Sequence, residues 1–207
     1  MINPAPSPRE QRKQEKRQRI LAAAAQVFSD NGFSRTTMSH VAERADVGKG
    51  TLYEYFPSKD DLYYSVFQSL VREVFAGLSL DRERETAAEE LMELNVMMVA
   101  NMEGFRDHYG LFMEFWSASA SSHSRERFQE GFRELYTLFG DHVAGILRKG
   151  VSQAEFRDDL DCGALAASLV CAWDAMGLQA WFDPAFSPGR VANEFMRVIF
   201  RGINREE

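Results

Sequence analysis

Cysteine and histidine are scarce in this chain. Two cysteines in 207 residues exclude a disulfide scaffold and a cysteine-rich zinc site. Cys162 and Cys171 stand nine apart in a helical pattern, which points them to opposite faces of one helix. They read as reduced, core-filling thiols. The four histidines, His40, His108, His123 and His142, have no metal-ligand spacing, and the adjacent pairs Asp107-His108 and Asp141-His142 point apart on a helix. H-E-x-x-H, G-x-S-x-G and the dinucleotide fingerprint are all missing. These absences argue against an enzyme and imply neither metal nor cofactor. No apolar run approaches bilayer length, and MINPAPSPRE lacks the apolar stretch of a signal peptide, so a cytoplasmic protein without a membrane partner is expected. Strand alternation and tandem repeats are absent too, which leaves an all-α chain.

Charge is present in quantity, and its distribution says more than its sum. The net charge is −7, yet residues 1–60 carry ten Lys/Arg against seven Asp/Glu, and the remainder fourteen against twenty-four. The first part is basic and the second acidic. Much of the positive charge lies in the run Arg9 to Arg19. By itself such a run reads equally as a solvated helix face.

Periodicity divides the chain further. Residues 1–8, with Pro4, Pro6 and Pro8, read as a flexible arm. Ile20, Ala23, Ala24, Val27 and Phe28 mark a first helix that Asn31-Gly32 closes with a left-handed cap. A second, short helix starts at Thr36-Thr37 and turns Met38, Val41, Ala42 and Ala45 inward. Asp46-Val47-Gly48 interrupts it. A third helix from Lys49 to Phe56 presents Leu52 and Phe56 to the same core before Pro57 stops it. Two short helices joined by a three-residue turn behind a basic helix form a helix-turn-helix. Ser58 caps a linking helix, with Asp60 and Asp61 at the positive end of its dipole. Further helices are expected near 86–104, 108–120, 124–150, 161–182 and 188–204. The predicted architecture is about nine helices: a helix-turn-helix domain over 9–57 joined by the linking helix to a larger helical bundle within 58–207.

The stretch Val47-Gly48-Lys49-Gly50-Thr51 looks at first like a phosphate loop. Against G-x-x-x-x-G-K-[ST] it fails twice, because Glu43 replaces the first glycine and Gly50 the hydroxyl residue. On a helical wheel it makes better sense as a reading edge. Leu52 and Phe56 face inward, Gly50, Thr51 and Glu54 outward, and Tyr53 and Tyr55 sit on the shoulders. Lys49 can reach a phosphate or guanine, and Gly50 lets the backbone approach the groove wall. Tyr53, Tyr55, Lys59 and Thr37 suit phosphate positioning. Tyr55 suits packing beneath the linking helix as well, and Glu54 is as much a partner for lysine as for cytosine.

The run from Arg19-Ile20-Leu21-Ala22-Ala23-Ala24 through Phe28, Asn31-Gly32-Phe33, Thr36-Thr37-Met38 and Val41-Ala42 to Val47-Gly48-Lys49-Gly50-Thr51-Leu52-Tyr53-Glu54-Tyr55-Phe56-Pro57-Ser58-Lys59 resembles the DNA-binding domain of the TetR/AcrR family of bacterial ligand-responsive regulators. The resemblance spans about residues 12–65. Asp46 departs from the common turn glycine and Gly48 from the common serine. It implies a DNA-binding regulator, most simply a repressor that a small apolar or amphipathic effector releases from a pseudo-palindromic double-stranded operator. The same DNA-contacting positions follow: Thr37, Lys49, Gly50, Thr51, Tyr53, Tyr55 and Lys59.

The resemblance also implies a homodimer, with its surface on the last two helices at Leu165, Leu169, Trp173, Phe195, Val198 and Ile199. Ordinary intramolecular core explains the same residues. An effector pocket would be lined by Met102, Phe105, Tyr109, Phe112, Met113, Trp116, Phe132, Tyr136 and Trp173, a set that also suits a filled core. Glu103, Glu114 and Asp174 fall among these aromatics, where they would serve a cationic ligand. The linking helix from Ser58 is the expected transmitter between effector and DNA.

Overall fold

A computed structural model of the protein describes residues 7–77, 84–104, 106–121 and 123–205. Nine α-helices appear among them: α1 (Pro8–Arg35), α2 (Met38–Arg44), α3 (Lys49–Tyr55), α4 (Lys59–Gly77), α5 (Ala87–Gly104), α6 (Tyr109–Ser121), α7 (Arg125–Ser152), α8 (Cys162–Phe182) and α9 (Pro188–Ile203). A 3₁₀ turn, Arg106–His108, precedes α6, and an isolated antiparallel bridge pairs Phe156 with Asn204. The expected all-α class holds. Of the proline-rich arm, residues 1–6 lie outside the described residues, while Ser7 and Pro8 already belong to α1 as N-cap and first turn.

The chain divides into two compact units. One comprises residues 1–71 and 110–128, the other 72–109 and 129–207. This is not a single cut after residue 57, because the start of α4 and most of α6 group with the helix-turn-helix. The reason is aromatic. Tyr63 of α4 lies 4.8 Å from Phe28, 4.6 Å from Phe33 and 4.7 Å from Phe115, ring centre to ring centre. Phe67 and Phe128 extend the cluster at 5.3 to 5.8 Å. Offset and edge-on pairs of this kind contribute about 0.5–1.5 kcal/mol each beyond area burial.

In the first unit α1 packs on α2 and α2 on α3 through buried Ile20, Ala24, Val27, Met38, Val41, Ala42 and Leu52. The left-handed cap expected at Gly32 is instead a break. Gly32 has φ 73° and ψ 163°, a further turn runs on to Arg35, and Thr36 N–H then closes on Gly32 O at 3.2 Å. Thr36 is buried, with its hydroxyl on Gly32 O at 2.8 Å, so capping of α2 falls to Thr37.

In the second unit α5, α8 and α9 pack together around Leu91, Leu94, Leu169, Trp173, Ala192 and Met196, with Val143 and Leu147 of α7. By length and composition α8 alone among the described helices is apolar enough to cross a bilayer. Its buried stripe of Ala166, Leu169, Val170, Trp173, Met176 and Gly177 lies in the core shared with α5 and α9, as a core helix does. The thiols differ from expectation. Cys162 is half-buried, but Cys171 is exposed and fills no core.

Candidate functional site

The turn between α2 and α3 is tight because Asp46 takes φ 51°, a left-handed dihedral that Asp tolerates better than most residues. Asp46 N–H reaches Glu43 O at 3.1 Å and Val47 N–H reaches Ala42 O at 3.0 Å, so the backbone reverses without loose ends. Gly48, as N-cap of α3, offers no side-chain bond. The first-turn N–H groups of α3 therefore lack a built-in acceptor. At α2 the cap is reciprocal: His40 N–H donates to Thr37 Oγ1 at 3.3 Å, and Thr37 N–H donates to His40 Nδ1 at 3.4 Å.

Helix α3 is two-faced. Leu52 and Phe56 are buried, while Lys49, Gly50, Tyr53 and Glu54 are exposed and Thr51 and Tyr55 half-buried. Tyr53 is 44% exposed, uncommon for a large ring on a seven-residue helix. Beyond its chain neighbours and its own helix backbone, nothing among the described residues comes within 4 Å of a Cβ built on Gly50. The polar edge is thus open to approach.

Lys59 behaves in a way that periodicity did not suggest. Its Nζ donates to Phe33 O at 2.9 Å and Thr36 O at 3.1 Å, and lies 4.2 Å from the centre of the Phe33 ring. Glu114 of α6 grips the same turn from another side. It accepts from Phe33 N–H at 3.1 Å and from the Tyr63 hydroxyl at 3.4 Å. Burial, with Glu114 beside it, pushes the Tyr63 phenol far above its ordinary range. Glu114 is therefore engaged by backbone and is not a waiting counter-ion. Nothing in its sequence neighbourhood signals this, because its partner lies eighty-one residues away. At the start of α4 the Ser58 hydroxyl, then Arg127, hold the Asp61 carboxyl below its ordinary range.

Residues 20–66 match the model of the bacterial regulatory proteins of the tetR family. Those residues are a DNA-binding domain of the tetR type. Curated relatives align over nearly the whole length. The fatty acid metabolism regulator protein of Bacillus subtilis is 21% identical over 196 residues, covering 94% of this chain and 98% of the relative. The transcriptional repressor KstR2 of Rhodococcus jostii is 24% identical over 208 residues, 98% of each. A crystal structure of a candidate transcriptional regulator from Saccharomonospora viridis in complex with choline superposes with a TM-score of 0.77 at 22% identity, covering 93% of this chain and all of that one. At that identity the structure shows a shared fold. With that domain, and with relatives named as regulators and repressors along its length, the chain is a DNA-binding transcriptional regulator and not an enzyme.

The residues expected to line an effector pocket are divided between the two units. Phe105 lies outside the described residues. Phe112, Met113 and the 44%-exposed Trp116 belong to the first unit. In the second unit Phe132 is buried, and Trp173, 1% exposed, is core, its indole N–H donating to Asn95 Oδ1 at 3.0 Å. Met102, Tyr109 and Tyr136 do come together. The Tyr136 hydroxyl donates to Asp174 Oδ2 at 2.6 Å, the Tyr109 hydroxyl to Asp174 O at 3.4 Å, and a Cβ on Gly177 would stand 3.4 Å from the Tyr109 ring and 3.6 Å from Met102. Trp181 stacks on Tyr109 at 5.7 Å. Burial raises the Asp174 carboxyl above its ordinary range, against the Tyr136 hydrogen bond, and pushes the Tyr109 phenol up to about 12. Glu103 is exposed. A cleft of about 480 Å³ opens in the first unit beside Gly32, Phe33, Tyr63 and Glu114, and none of the expected pocket residues lines it.

Two of the six residues expected at a dimer surface are already spent. Leu169 is fully buried and Trp173 nearly so within their own unit, because α5 and α9 cover that stripe of α8. Leu165, Phe195 and Ile199 are half-buried, and Val198 is 55% exposed.

Proposed function

We propose that this protein is a cytoplasmic repressor of the TetR family that binds a pseudo-palindromic operator as a homodimer and leaves it when a small apolar or amphipathic effector binds. One observation carries the reading: the exposed polar edge of α3, Lys49, Gly50 and Tyr53, set against the fully buried Leu52. A helix so disposed enters the major groove, where Lys49 and Thr51 meet base edges while Tyr53, Tyr55, Thr37 and Lys59 position the backbone. Lys59 would do this while holding the end of α1. One helix-turn-helix reads too few base pairs to select a genomic site, so two are paired by symmetry. Leu165, Phe195, Val198 and Ile199 offer the apolar surface for that pairing.

The effector reading draws support from the soft, aromatic composition of the second unit and from relatives whose names refer to fatty acid metabolism or a choline complex. Asp174 with Tyr136 supplies one polar anchor in that lining. The test begins with fragments of genomic DNA retained by the wild-type protein. Lys49→Ala and Tyr53→Ala each abolish retardation of those fragments while light scattering still reports a dimer. Wild-type affinity in both variants, or a monomer at working concentration, overturns the reading.

A further inference from the structure

Resting on the DNA-binding reading above, we infer that the first three turns of α1 are a second DNA-contacting element, a basic stripe that lies on the phosphates of the same duplex that α3 enters. Helix α1 begins twelve residues before its first buried side chain, Ile20. Every residue from Ser7 to Arg19 is exposed except the half-buried Arg17. The segment is nonetheless a defined helix. Ser7 and Glu10 form a reciprocal cap, with Ser7 N–H on Glu10 Oε2 at 2.8 Å, and Pro8 occupies the first turn.

The charges are ordered on it. At about 100° per residue, Arg9, Arg12, Lys13, Lys16 and Arg19 fall within an arc of about 120°, and Glu10 and Glu15 fall outside it. That arc is continuous with Ile20, Ala23 and Val27, which are buried in the unit where α1 packs on α2. The helix thus carries its inward face beyond the end of the core and replaces apolar side chains with cations there. Glu15 stands four residues before Arg19 and Glu10 three before Lys13, the spacings of a solvated face, yet these pairs are not made. Among the described residues no carboxylate ion-pairs with the five cations of the stripe. Arg17, at the edge of the arc, fixes the segment's relation to the reading helix: its guanidinium lies 5.2 Å from the ring centre of Phe56, the C-cap of α3. A polyanion running past the exposed edge of α3 meets this stripe, and the charge complement of five closely spaced cations is a phosphate backbone.

The experiment compares the salt dependence of duplex binding for the wild-type protein and a variant carrying R9Q, R12Q, K13Q and K16Q. Glutamine keeps helix propensity, and circular dichroism checks that α1 persists. Each lost phosphate contact flattens the slope of log K against log salt by about 0.9, so the variant's slope is expected to be shallower by about 2 to 4. Affinity falls at least about tenfold at low salt, while preference for a selected fragment over a scrambled one is kept, because phosphate contacts carry no sequence information. An unchanged slope and affinity, with the wild-type protein binding normally, overturns the inference and leaves the α3 reading standing. Loss of sequence preference along with affinity also overturns it. So does an unchanged DNA slope accompanied by lost sedimentation with phosphatidylglycerol vesicles, which assigns the stripe to a membrane surface. Failure of the wild-type protein to bind any duplex refutes the parent reading instead.

Discussion

Replacing Gly32 by alanine tests the way α1 ends. The position has φ 73° with ψ 163°, a region essentially restricted to glycine, and forcing a Cβ there costs about 1–3 kcal/mol. The added carbon also lands 3.0 Å from Glu114 Oε1. If the carboxylate retreats, Phe33 N–H loses a charge-assisted partner, which costs about 1.5–3 kcal/mol. Together these amount to about 2.5–6 kcal/mol, or a melting point lower by roughly 5 to 24 °C for a chain of this size. Gly50→Ala is the control. Beyond its chain neighbours and its own helix backbone its Cβ meets no described atom within 4 Å, and its dihedrals are ordinary, so better helix propensity leaves the melting point equal or raises it by the equivalent of up to about 1 kcal/mol. Calorimetry on the two variants decides. A Gly32→Ala protein melting within about 1 °C of wild type, or above Gly50→Ala, refutes the reasoning. The Glu114 share is separable: Glu114→Ala should cost less in the Gly32→Ala background than in the wild-type one, because the clamp is already displaced.

Two further expectations concern the second unit. Because burial raises the Asp174 carboxyl, the folded state keeps a proton that the unfolded chain has lost, so wild-type stability falls as pH rises from the ordinary carboxylate range through the folded value. Asp174→Asn, which never ionises, should therefore melt above wild type at neutral pH and lose that advantage in acid; thermal melts across pH that show a constant difference reject this. Trp173→Phe strands Asn95 Oδ1, a fully buried acceptor, and should cost about 1–3 kcal/mol by denaturant unfolding. Adding Asn95→Leu should recover part of that loss, and a strictly additive double variant rejects the pairing.

Most helix boundaries were legible because they rest on local chemistry. Thr37, Asp46 and Ser58 declare caps and turns within a few residues of where they act, and the spacing of Leu52 and Phe56 fixes which edge of α3 faces out. What local chemistry cannot announce is long-range use of a polar side chain. Glu114 on Phe33, Lys59 on Phe33 and Thr36, and Asp174 under Tyr136 join residues 23 to 81 positions apart, and no period connects them. Apolar stripes carry a different ambiguity. They say that something covers Leu169 and Trp173, not whether the cover is α5 and α9 or a second chain. The same holds for Trp173 as a pocket wall, where an indole bonded to Asn95 is indistinguishable in sequence from one awaiting a ligand.

The bridge between Phe156 and Asn204 bears on how the protein is handled in the laboratory. Arg157 N–H bonds Ile203 O at 2.9 Å and Arg205 N–H bonds Glu155 O at 3.1 Å, so the tail is stitched to the hairpin bend after α7. Truncation at Gly202 would cut both stitches and expose the hole left by Ile203, whereas an affinity handle or fluorescent fusion grafted after Arg205 leaves the seam whole. At the opposite end of the chain six residues precede Ser7 and the cationic turns beyond it, for which an acidic epitope tag would be a competing counter-charge.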